Sequence, residues 1–401
     1  MKPETERDEG DGGHGAGSVP TPSAAELDGD ARRILGAAWR TDPDGGGFCV
    51  PHPTTYPWQW LWDSCFHAVV WSHLEDERAA IELRSALSAA DGEGFVPHLR
   101  YVHEPRPHVA LWGRPRTSSI TQPPMYGHAV AVVSAMGGAD DELVERATAG
   151  LAFLLRRRAR SPLGLVELCH PWESGCDDSP RWDDAVDGQW SAAEWFHAKG
   201  SLVGSIERSP GGAPIRNPDF AIGSAGFSAL VAWNALEVVS VSGDGDLRAA
   251  ALELAEAVDA RWDPDLRTWV DDGATAIGSG RVRTLDALLP LLLHPRAEAF
   301  DQLTDRSALG ATYGPCGVHR EEAAFAPAVY WRGSAWPQLA YLLWLAATRS
   351  GDDSTAASLS RSITSGASWS GYAEHWVADT AAPLGAVPQS WSTLASVVSA
   401  T

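Results

Sequence analysis

The stretch that decides the fold is Ser334-Ala-Trp-Pro-Gln-Leu-Ala-Tyr-Leu-Leu-Trp344, which carries apolar, aromatic or small residues on nearly every side at helical spacing. A helix that is apolar all round is buried, whereas a helix with one polar face lies at the surface. Residues 246–261 and 354–368 are of the second kind, because charged or hydroxyl side chains follow one face. The sequence therefore predicts inner and outer helices.

Helical periodicity dominates the chain from residue 24 onward and predicts about thirteen helices. Strand signals are sparse, and residues 94–101 and 268–271 are typical of short hairpin arms. Buried and amphipathic helices alternate, which indicates an all-α protein built as a double-layered helical toroid, the (α/α)6 barrel. An α-solenoid also alternates its helices, but no motif in this sequence repeats at a fixed period.

Long loops separate the predicted helices and contain nearly all the Pro, Gly, His and Trp residues. Loops of more than about fifteen residues within a compact domain are usually functional. In a toroid these loops would gather at one rim of the central cavity. They comprise residues 44–59, 91–122, 161–183, 209–223, 313–331 and 370–389.

Domain organisation follows from composition. Residues 1–22 are polar and rich in Gly and Pro, so we expect a disordered tail. No linker interrupts the rest, and we expect residues 23–401 to form a single domain. The N-terminus lacks the apolar segment of a secretory signal. The longest apolar run, residues 285–293, contains Pro290 and is too short to span a bilayer. These features predict a soluble cytoplasmic protein.

Charge and cysteine usage exclude several classes of partner. The formal net charge of −21 disfavours nucleic acids and anionic membranes. The five cysteines show neither C-x-x-C nor another metal-ligand spacing, which predicts reduced thiols and no metal or other cofactor. Tryptophan is over-represented, with 19 Trp against 9 Phe and 7 Tyr. The oligomeric state is not indicated by any pattern in the sequence.

Residues 170–183, His170-Pro-Trp-Glu-Ser-Gly-Cys-Asp-Asp-Ser-Pro-Arg-Trp-Asp183, concentrate carboxylates beside two Trp residues. Buried carboxylates without partners are costly, so a purely structural turn rarely gathers so many. Trp faces stack on sugar rings, and carboxylates bind hydroxyl groups or transfer protons. The segment therefore predicts a sugar site rather than a capped turn. Its candidate site residues are Trp172, Glu173 and Asp177.

Two further loops provide candidate walls for this site. Residues 56–67 alternate Trp58, Trp60 and Trp62 along one face before Asp63, which either caps the following helix or binds a ligand. Residues 117–126 form a Pro-stiffened loop. Its candidate hydrogen-bonding side chains are Gln122 and Tyr126.

The C-terminal part adds a cation and a carboxylate. Arg332, between Trp331 and Gly333, requires an anionic or polar partner before a buried helix. Glu374 follows a glycine and is flanked by aromatic residues. Hydrolysis of a glycosidic bond needs one protonated and one ionised carboxyl group across that bond. Asp177 and Glu374 are on separate long loops and are the predicted pair.

At these residues the chain resembles the mannosylglycerate and glucosylglycerate hydrolases of glycoside hydrolase family 63. The resemblance covers about residues 48–391, and its matching segments are highly specific when taken together. Its segments are YPWQWLWDSCFH, GFVPHLRY, SSITQPPMYGHA, HPWESGCDDSPRWD, IGSAGFSALVAW, GVHREEAAF, YWRGSAWPQLAYLL and GYAEHW with QSW.

The resemblance implies an (α/α)6 barrel and an inverting mechanism, with Asp177 as general acid and Glu374 as general base. It implies that a glycerate carboxylate would need a cation, for which Arg216 is the candidate. It also places a set of residues around the bound sugar: Tyr56, Trp60, Asp63, Gln122, Tyr330, Trp331, Arg332, Gln389 and Trp391.

Three positions depart from the pattern of this family. Asp178 stands where Asn is usual, Ser334 where Pro is usual, and Val377-Ala378 where an acidic or amide residue followed by Pro is usual. None of these changes removes a predicted catalytic group. The last alters the loop that carries Glu374.

The sequence thus predicts an inverting α-glycoside hydrolase acting on a small glycoside, with glucosylglycerate or mannosylglycerate as the favoured substrate. Short α-glucosides cleaved by an α-glucosidase are the first alternative. A sugar isomerase or epimerase is the second, and it would use paired histidines drawn from His67, His98, His103 and His128. A sugar-binding protein without catalytic activity is the third.

Overall fold

The computed structural model describes residues 22–43, 45–103, 106, 108–185, 191–276 and 278–399. All of the predicted disordered tail except Pro22 lies outside the described residues. In chain order the α-helices are α1 (Ala24–Ala38), α2 (Leu61–His73), α3 (Arg78–Leu87), α4 (Val109–Trp112), α5 (Tyr126–Ala135), α6 (Asp141–Arg156), α7 (Ala192–Leu202), α8 (Ala225–Ser242), α9 (Gly245–Asp259), α10 (Ala297–Thr304), α11 (Pro337–Ser350), α12 (Asp353–Trp369) and α13 (Leu394–Val398).

Six inner elements of the described residues form a closed ring. They are α2, α5, α8, the 3₁₀ helix Asp286–Leu292, α11 and α13, and each contacts the next until α13 returns to α2. The helices α1, α3, α6, α9, α10 and α12 alternate with them along the chain and pack outside the ring. This arrangement confirms the predicted (α/α)6 barrel.

The two layers differ in burial as their sequences predict. In the inner helix α2, twelve of thirteen residues are buried. The outer helix α9 buries only one stripe, which includes Leu247, Ala251, Leu254 and Val258 at helical spacing. The Asp244 carboxylate starts α9 by accepting a 2.8 Å hydrogen bond from the Leu247 N–H. Outer helices therefore face solvent with their charged sides.

Helix α8 is the one described helix that is long and apolar enough to cross a membrane. It lies in the inner ring between α5 and the 3₁₀ helix, and 67% of its residues are buried in the protein. Its apolar character is therefore explained by packing within the barrel.

Several predicted helices are shorter or of another type. Within the predicted helix 282–293, residues Asp286–Leu292 form a 3₁₀ helix rather than an α-helix, and Pro290 inside it lacks the N–H that an α-helix would use. The predicted helix 184–206 is restricted to α7, while Pro180–Ala185 is 3₁₀ and residues 186–190 lie outside the described part. The four-residue helix α4 was not predicted.

Within the described part of the chain, the strands form six two-stranded antiparallel pairs. The predicted arm 268–271 lies in a short hairpin, whereas the strand within 94–101 pairs with the distant residues Gln59–Trp60. The pairs fix the rim loops relative to one another. The pairs are β1 (Trp39–Thr41) with β2 (Gly47–Cys49), β3 (Gln59–Trp60) with β4 (Leu99–Arg100), β5 (Glu167–Leu168) with β8 (Ile222–Gly223), β6 (Glu207–Arg208) with β7 (Pro214–Arg216), β9 (Trp262–Asp263) with β10 (Thr268–Trp269), and β11 (His375–Trp376) with β12 (Pro383–Leu384).

Candidate active site

A cavity with about 420 Å³ of empty space, part of which is open solvent, lies among the loops that precede the inner helices. Among the described residues, its wall consists of Pro51, Tyr56, Trp60, Trp62, Asp63, Gln122, Gly175, Asp177, Tyr330, Trp331, Glu374, Gln389 and Trp391. The structure therefore brings eleven of the sixteen predicted site residues together.

The loop that carries Asp177 passes closely behind Trp62. It leaves the 3₁₀ helix Pro171–Ser174 through Gly175, whose φ is +73°. A Cβ atom at Gly175 would lie 2.6 Å from the Trp62 ring, so only glycine fits this approach. The indole N–H of Trp195 then donates a 3.0 Å hydrogen bond to the Asp177 carbonyl oxygen. These contacts direct the Asp177 side chain to the cavity.

Glu374 is held immediately before β11. Its backbone N–H donates to the Ala386 carbonyl at 2.8 Å, and its Oε2 accepts from the Ala386 N–H at 3.0 Å. The Trp391 indole N–H donates to the Glu374 carbonyl at 2.9 Å. The Tyr56 hydroxyl lies 3.1 Å from each carboxylate oxygen of Glu374. Donors from separate parts of the loop region thus orient this residue and its carboxylate.

The two carboxyl groups have different electrostatic surroundings. Burial raises the pKa of Asp177 to about 7, and the Asp178 and Glu374 carboxylates add to this rise while Lys199 opposes it. Burial also raises the pKa of Glu374, but hydrogen bonds from Ala386, Tyr56 and Tyr330 favour its ionised form. Asp177 is therefore the better proton donor and Glu374 the better base.

Aromatic rings build the wall behind Glu374. Trp331 stacks on Trp336 at a centroid distance of 3.5 Å, and Trp336 stacks on His375 at 4.3 Å. Trp331 has a φ of +57°, which is unusual for a bulky residue and costs energy that the surrounding stack must offset. This backbone conformation places strain beside the cavity, as is common at functional sites.

A third carboxyl group, Asp63, lies in the first turn of α2. It is buried, and burial raises its pKa to about 7. The Gln389 side-chain amide lies 3.5 Å from its Oδ1. Gln122 accepts a 3.3 Å hydrogen bond from the Trp62 N–H through its Oε1. Polar groups able to bind sugar hydroxyls therefore alternate with the Trp rings.

Glu173 is not at the cavity, contrary to the sequence prediction. It is fully buried in an ion pair with Arg158, at 2.5 Å between Glu173 Oε2 and Arg158 Nη2. It also accepts from the N–H groups of Cys169 at 2.7 Å and Thr121 at 3.2 Å. Its carboxylate holds two loops against the end of α6, which is a structural role.

Four other predicted site residues also lie outside the described cavity wall. Trp172 packs against His170 at 4.4 Å, and Tyr126 is buried in the core. Arg216 is exposed and pairs with Glu207 across the β6–β7 hairpin at 2.8 Å. Arg332 donates two hydrogen bonds, of 2.6 and 2.7 Å, to the Asp183 carboxylate.

The explanation differs among these four. Asp183 is the anionic partner that the sequence required for Arg332, and it comes from the segment 170–183. Arg216 already has a carboxylate partner at the surface, which competes with the predicted glycerate contact. Trp172 and Tyr126 pack against other side chains instead of lining the cavity, which is the more frequent role of aromatic residues.

Lys199 was missed by the sequence analysis. It is the one lysine among the described residues, and its Nζ contacts the Asp178 carboxylate beside Asp177. The signal was present, because the 31 Lys and Arg residues are otherwise almost all Arg. The isolated lysine therefore distinguishes this position from the many arginines around it.

The buried side chains of Cys49, His67 and Glu82 are close enough together to hold a metal ion. Hydrogen bonds account for their proximity, since His67 Nδ1 lies 2.9 Å from Glu82 Oε1 and the Cys49 N–H donates to the same oxygen at 3.0 Å. The absence of a metal cofactor stays a prediction. None of the four histidines considered for an isomerase lines the described cavity.

Comparison with known proteins gives the family. The profile of the mannosylglycerate hydrolase MGH1-like glycoside hydrolase domain matches residues 56–392, most of the chain. The chain belongs to the MGH1-like glycoside hydrolases. It is therefore a glycoside hydrolase, as the sequence predicted.

Relatives of this glycoside hydrolase include a mannosylglycerate hydrolase of Thermus thermophilus, which is 28% identical over 73% of this chain and 81% of the relative. A glucosylglycerate hydrolase of Mycolicibacterium hassiacum is 28% identical over 88% of this chain and 94% of the relative. The crystal structure of a family 63 mannosylglycerate hydrolase from Thermus thermophilus with Tris superposes with a TM-score of 0.80 at 25% identity, covering 94% of this chain and all of that one.

Proposed function

We propose that this glycoside hydrolase cleaves α-glycosides of glycerate with inversion of configuration, with Asp177 as general acid and Glu374 as general base. The observation that carries the proposal is the pair of carboxyl groups in one Trp-walled cavity, one favouring the protonated form and the other held by three donors. Support for glycerate as aglycone comes from the two relatives, whose names specify glucosylglycerate and mannosylglycerate.

In this mechanism Asp177 donates its proton to the glycosidic oxygen as the bond to the anomeric carbon breaks. Glu374 removes a proton from a water molecule that attacks the opposite face of the sugar ring. The Trp rings of the wall stack on the sugar, and Asp63 and Gln389 accept or donate hydrogen bonds to its hydroxyls. Tyr56 keeps the Glu374 carboxylate ionised and oriented.

The test is turnover of α-glucosylglycerate and α-mannosylglycerate by the protein and by Asp177→Ala and Glu374→Ala. Each substitution removes the acid or the base, so each is expected to lower kcat by ~100-fold or more. Near-normal turnover in either variant contradicts the assigned roles. Retained folding is checked by the thermal unfolding transition of each variant.

An α-glucosidase acting on short α-glucosides is the second candidate. It is favoured by the cavity wall itself, which among the described residues contains three carboxyl groups but no Lys, Arg or His to meet a glycerate carboxylate. A panel of α-glucosides with and without a glycerate aglycone separates the two candidates. A higher kcat/KM for the neutral glucosides would favour the α-glucosidase.

A further inference from the structure

An ion pair stands directly behind the proposed general acid. The Nζ of Lys199 on α7 contacts Oδ1 of Asp178, the residue that follows Asp177 in the chain. Only 7% of the lysine side chain and 13% of the aspartate side chain are exposed. Because these two charged groups are largely buried, little solvent screens them, and each acts strongly on neighbouring ionisable groups.

Helix α7 fixes this pair relative to the acid loop. The Trp195 indole N–H donates to the Asp177 carbonyl at 3.0 Å, one turn before Lys199. His170 Nε2 lies 2.8 Å from the Lys199 carbonyl oxygen. The ammonium group lies 5.6 Å from the ring centre of Trp172 and 5.8 Å from that of Trp195. Lys199 is thus held on both sides by residues of the 170–183 segment and of its own helix.

Other ionisable groups face Asp177 from each element that surrounds it. They are Cys176 in its own loop, Tyr56 in the loop before α2, Asp63 in the first turn of α2, Tyr330 in the loop before α11, and Glu374 beside β11. Among them, the Glu374 carboxylate raises the Asp177 pKa together with Asp178.

We propose that Lys199 and Asp178 are positioning residues which hold the Asp177 loop and act with opposite charges on the Asp177 carboxyl group. The inference rests on the proposed role of Asp177 as general acid. The two charges act in opposite directions on the Asp177 pKa, since Asp178 raises it and Lys199 lowers it. With both present, burial holds the Asp177 pKa at about 7.

The test is the alkaline limb of the kcat/KM profile, where activity falls as the general acid loses its proton. In Asp178→Asn, the remaining ammonium group stabilises the Asp177 carboxylate, so the limb is expected to move to lower pH by about one unit. In Lys199→Met, the remaining carboxylate destabilises it, so the limb is expected to move to higher pH by about the same amount. The double variant is expected to return close to the original limb.

The matched controls are Glu142→Gln and Arg146→Met, which remove the same charges from an exposed i,i+4 pair on α6. They are expected to leave the limb in place. A merely structural role for Lys199 and Asp178 would lower kcat without opposite shifts. An unmoved limb in either single variant, or shifts in the same direction, would overturn the proposal.

A substrate-independent measurement separates this inference from the proposed function. In protein labelled with ¹³Cγ-aspartate, the Asp177 signal is the one absent from Asp177→Asn, and its titration gives the same shifts directly. If that signal shifts in opposite directions while Asp177→Asn remains active, the charge-balancing inference stands and the assigned acid role fails. If Asp177→Asn is inactive but the Asp177 signal titrates unchanged in Asp178→Asn and in Lys199→Met, the inference fails alone.

Discussion

Removing the hydroxyl of Tyr56 tests most directly what sets the pKa of Glu374. This hydroxyl lies 3.1 Å from both carboxylate oxygens of Glu374, whose residue is only 2% exposed. A hydrogen bond to a charged group is worth about 1.5–3 kcal/mol, and one pKa unit corresponds to about 1.4 kcal/mol. Tyr56→Phe is therefore expected to raise the pKa of Glu374 by about 1–2 units.

The sign of the effect on activity follows from the role of Glu374 as base. The base must be ionised, so the acid limb of the kcat/KM profile is expected to move to higher pH by the same ~1–2 units. The alkaline limb, set by Asp177 with its pKa of about 7, is expected to stay nearly in place. The bell-shaped profile therefore narrows from its acid side.

The assay is kcat/KM for the cleaved glycoside between about pH 4 and pH 9, a range that spans both limbs. The control is Tyr372→Phe, which removes the 3.0 Å hydrogen bond that the Tyr372 hydroxyl, two residues before Glu374, donates to Asp30 on α1. The control is expected to leave the acid limb unmoved. If Tyr56→Phe lowers activity equally at every pH, the hydroxyl does not tune Glu374 and this reasoning is wrong.

Three further outcomes are expected. Because burial raises the pKa of Asp63 to about 7, the folded state keeps this proton while the unfolded state releases it, so the protein loses stability as pH rises from about 4 to 7. Asp63→Asn is therefore expected to increase the free energy of unfolding, by at most about 4 kcal/mol at pH 8 and by less at pH 5, as thermal unfolding at the two pH values will show. Arg158→Met leaves Glu173 buried without its cation and is expected to cost about 3–5 kcal/mol of stability; an unfolding temperature equal to that of the parent contradicts the structural role of this pair. Dialysis against a chelator is expected to leave kcat unchanged, and a loss restored by a divalent cation argues against metal-independent catalysis.

The barrel was predictable because burial requires different sequences in its two layers. Segment 334–344 is apolar on nearly every side and belongs to the inner ring, whereas α9 carries one apolar stripe. Boundaries were less predictable. The inner segment 286–292 keeps its place in the ring as a 3₁₀ helix, since ring packing depends on apolar side chains and tolerates Pro290.

The predicted pair Asp177 and Glu374 does meet at one cavity, because loops preceding inner helices share one rim. Glu173 shows that the local sequence does not reveal whether a carboxylate is paired with a distant cation. It is four residues from Asp177 and has the same chemical character, yet its partner Arg158 lies at the end of α6. Only the fold shows which of two neighbouring carboxylates is already paired.

Arg216 and Lys199 illustrate the same limit for cations. The choice of Arg216 rested on its position in a long loop, but the β6–β7 hairpin places Glu207 opposite it. Lys199 lies within a predicted helix and was not considered, although α7 brings it against Asp178. In both cases an ion pair between separate segments, which the sequence does not show, determines what the cation contacts.

The stereochemistry of the released sugar tests the central claim most directly. Proton NMR of the first turnovers of an α-glycoside distinguishes the two anomers before they interconvert. Attack by water activated at Glu374, on the face opposite Asp177, predicts that the β-anomer appears first. Initial release of the α-anomer would contradict an inverting reaction between these two carboxyl groups.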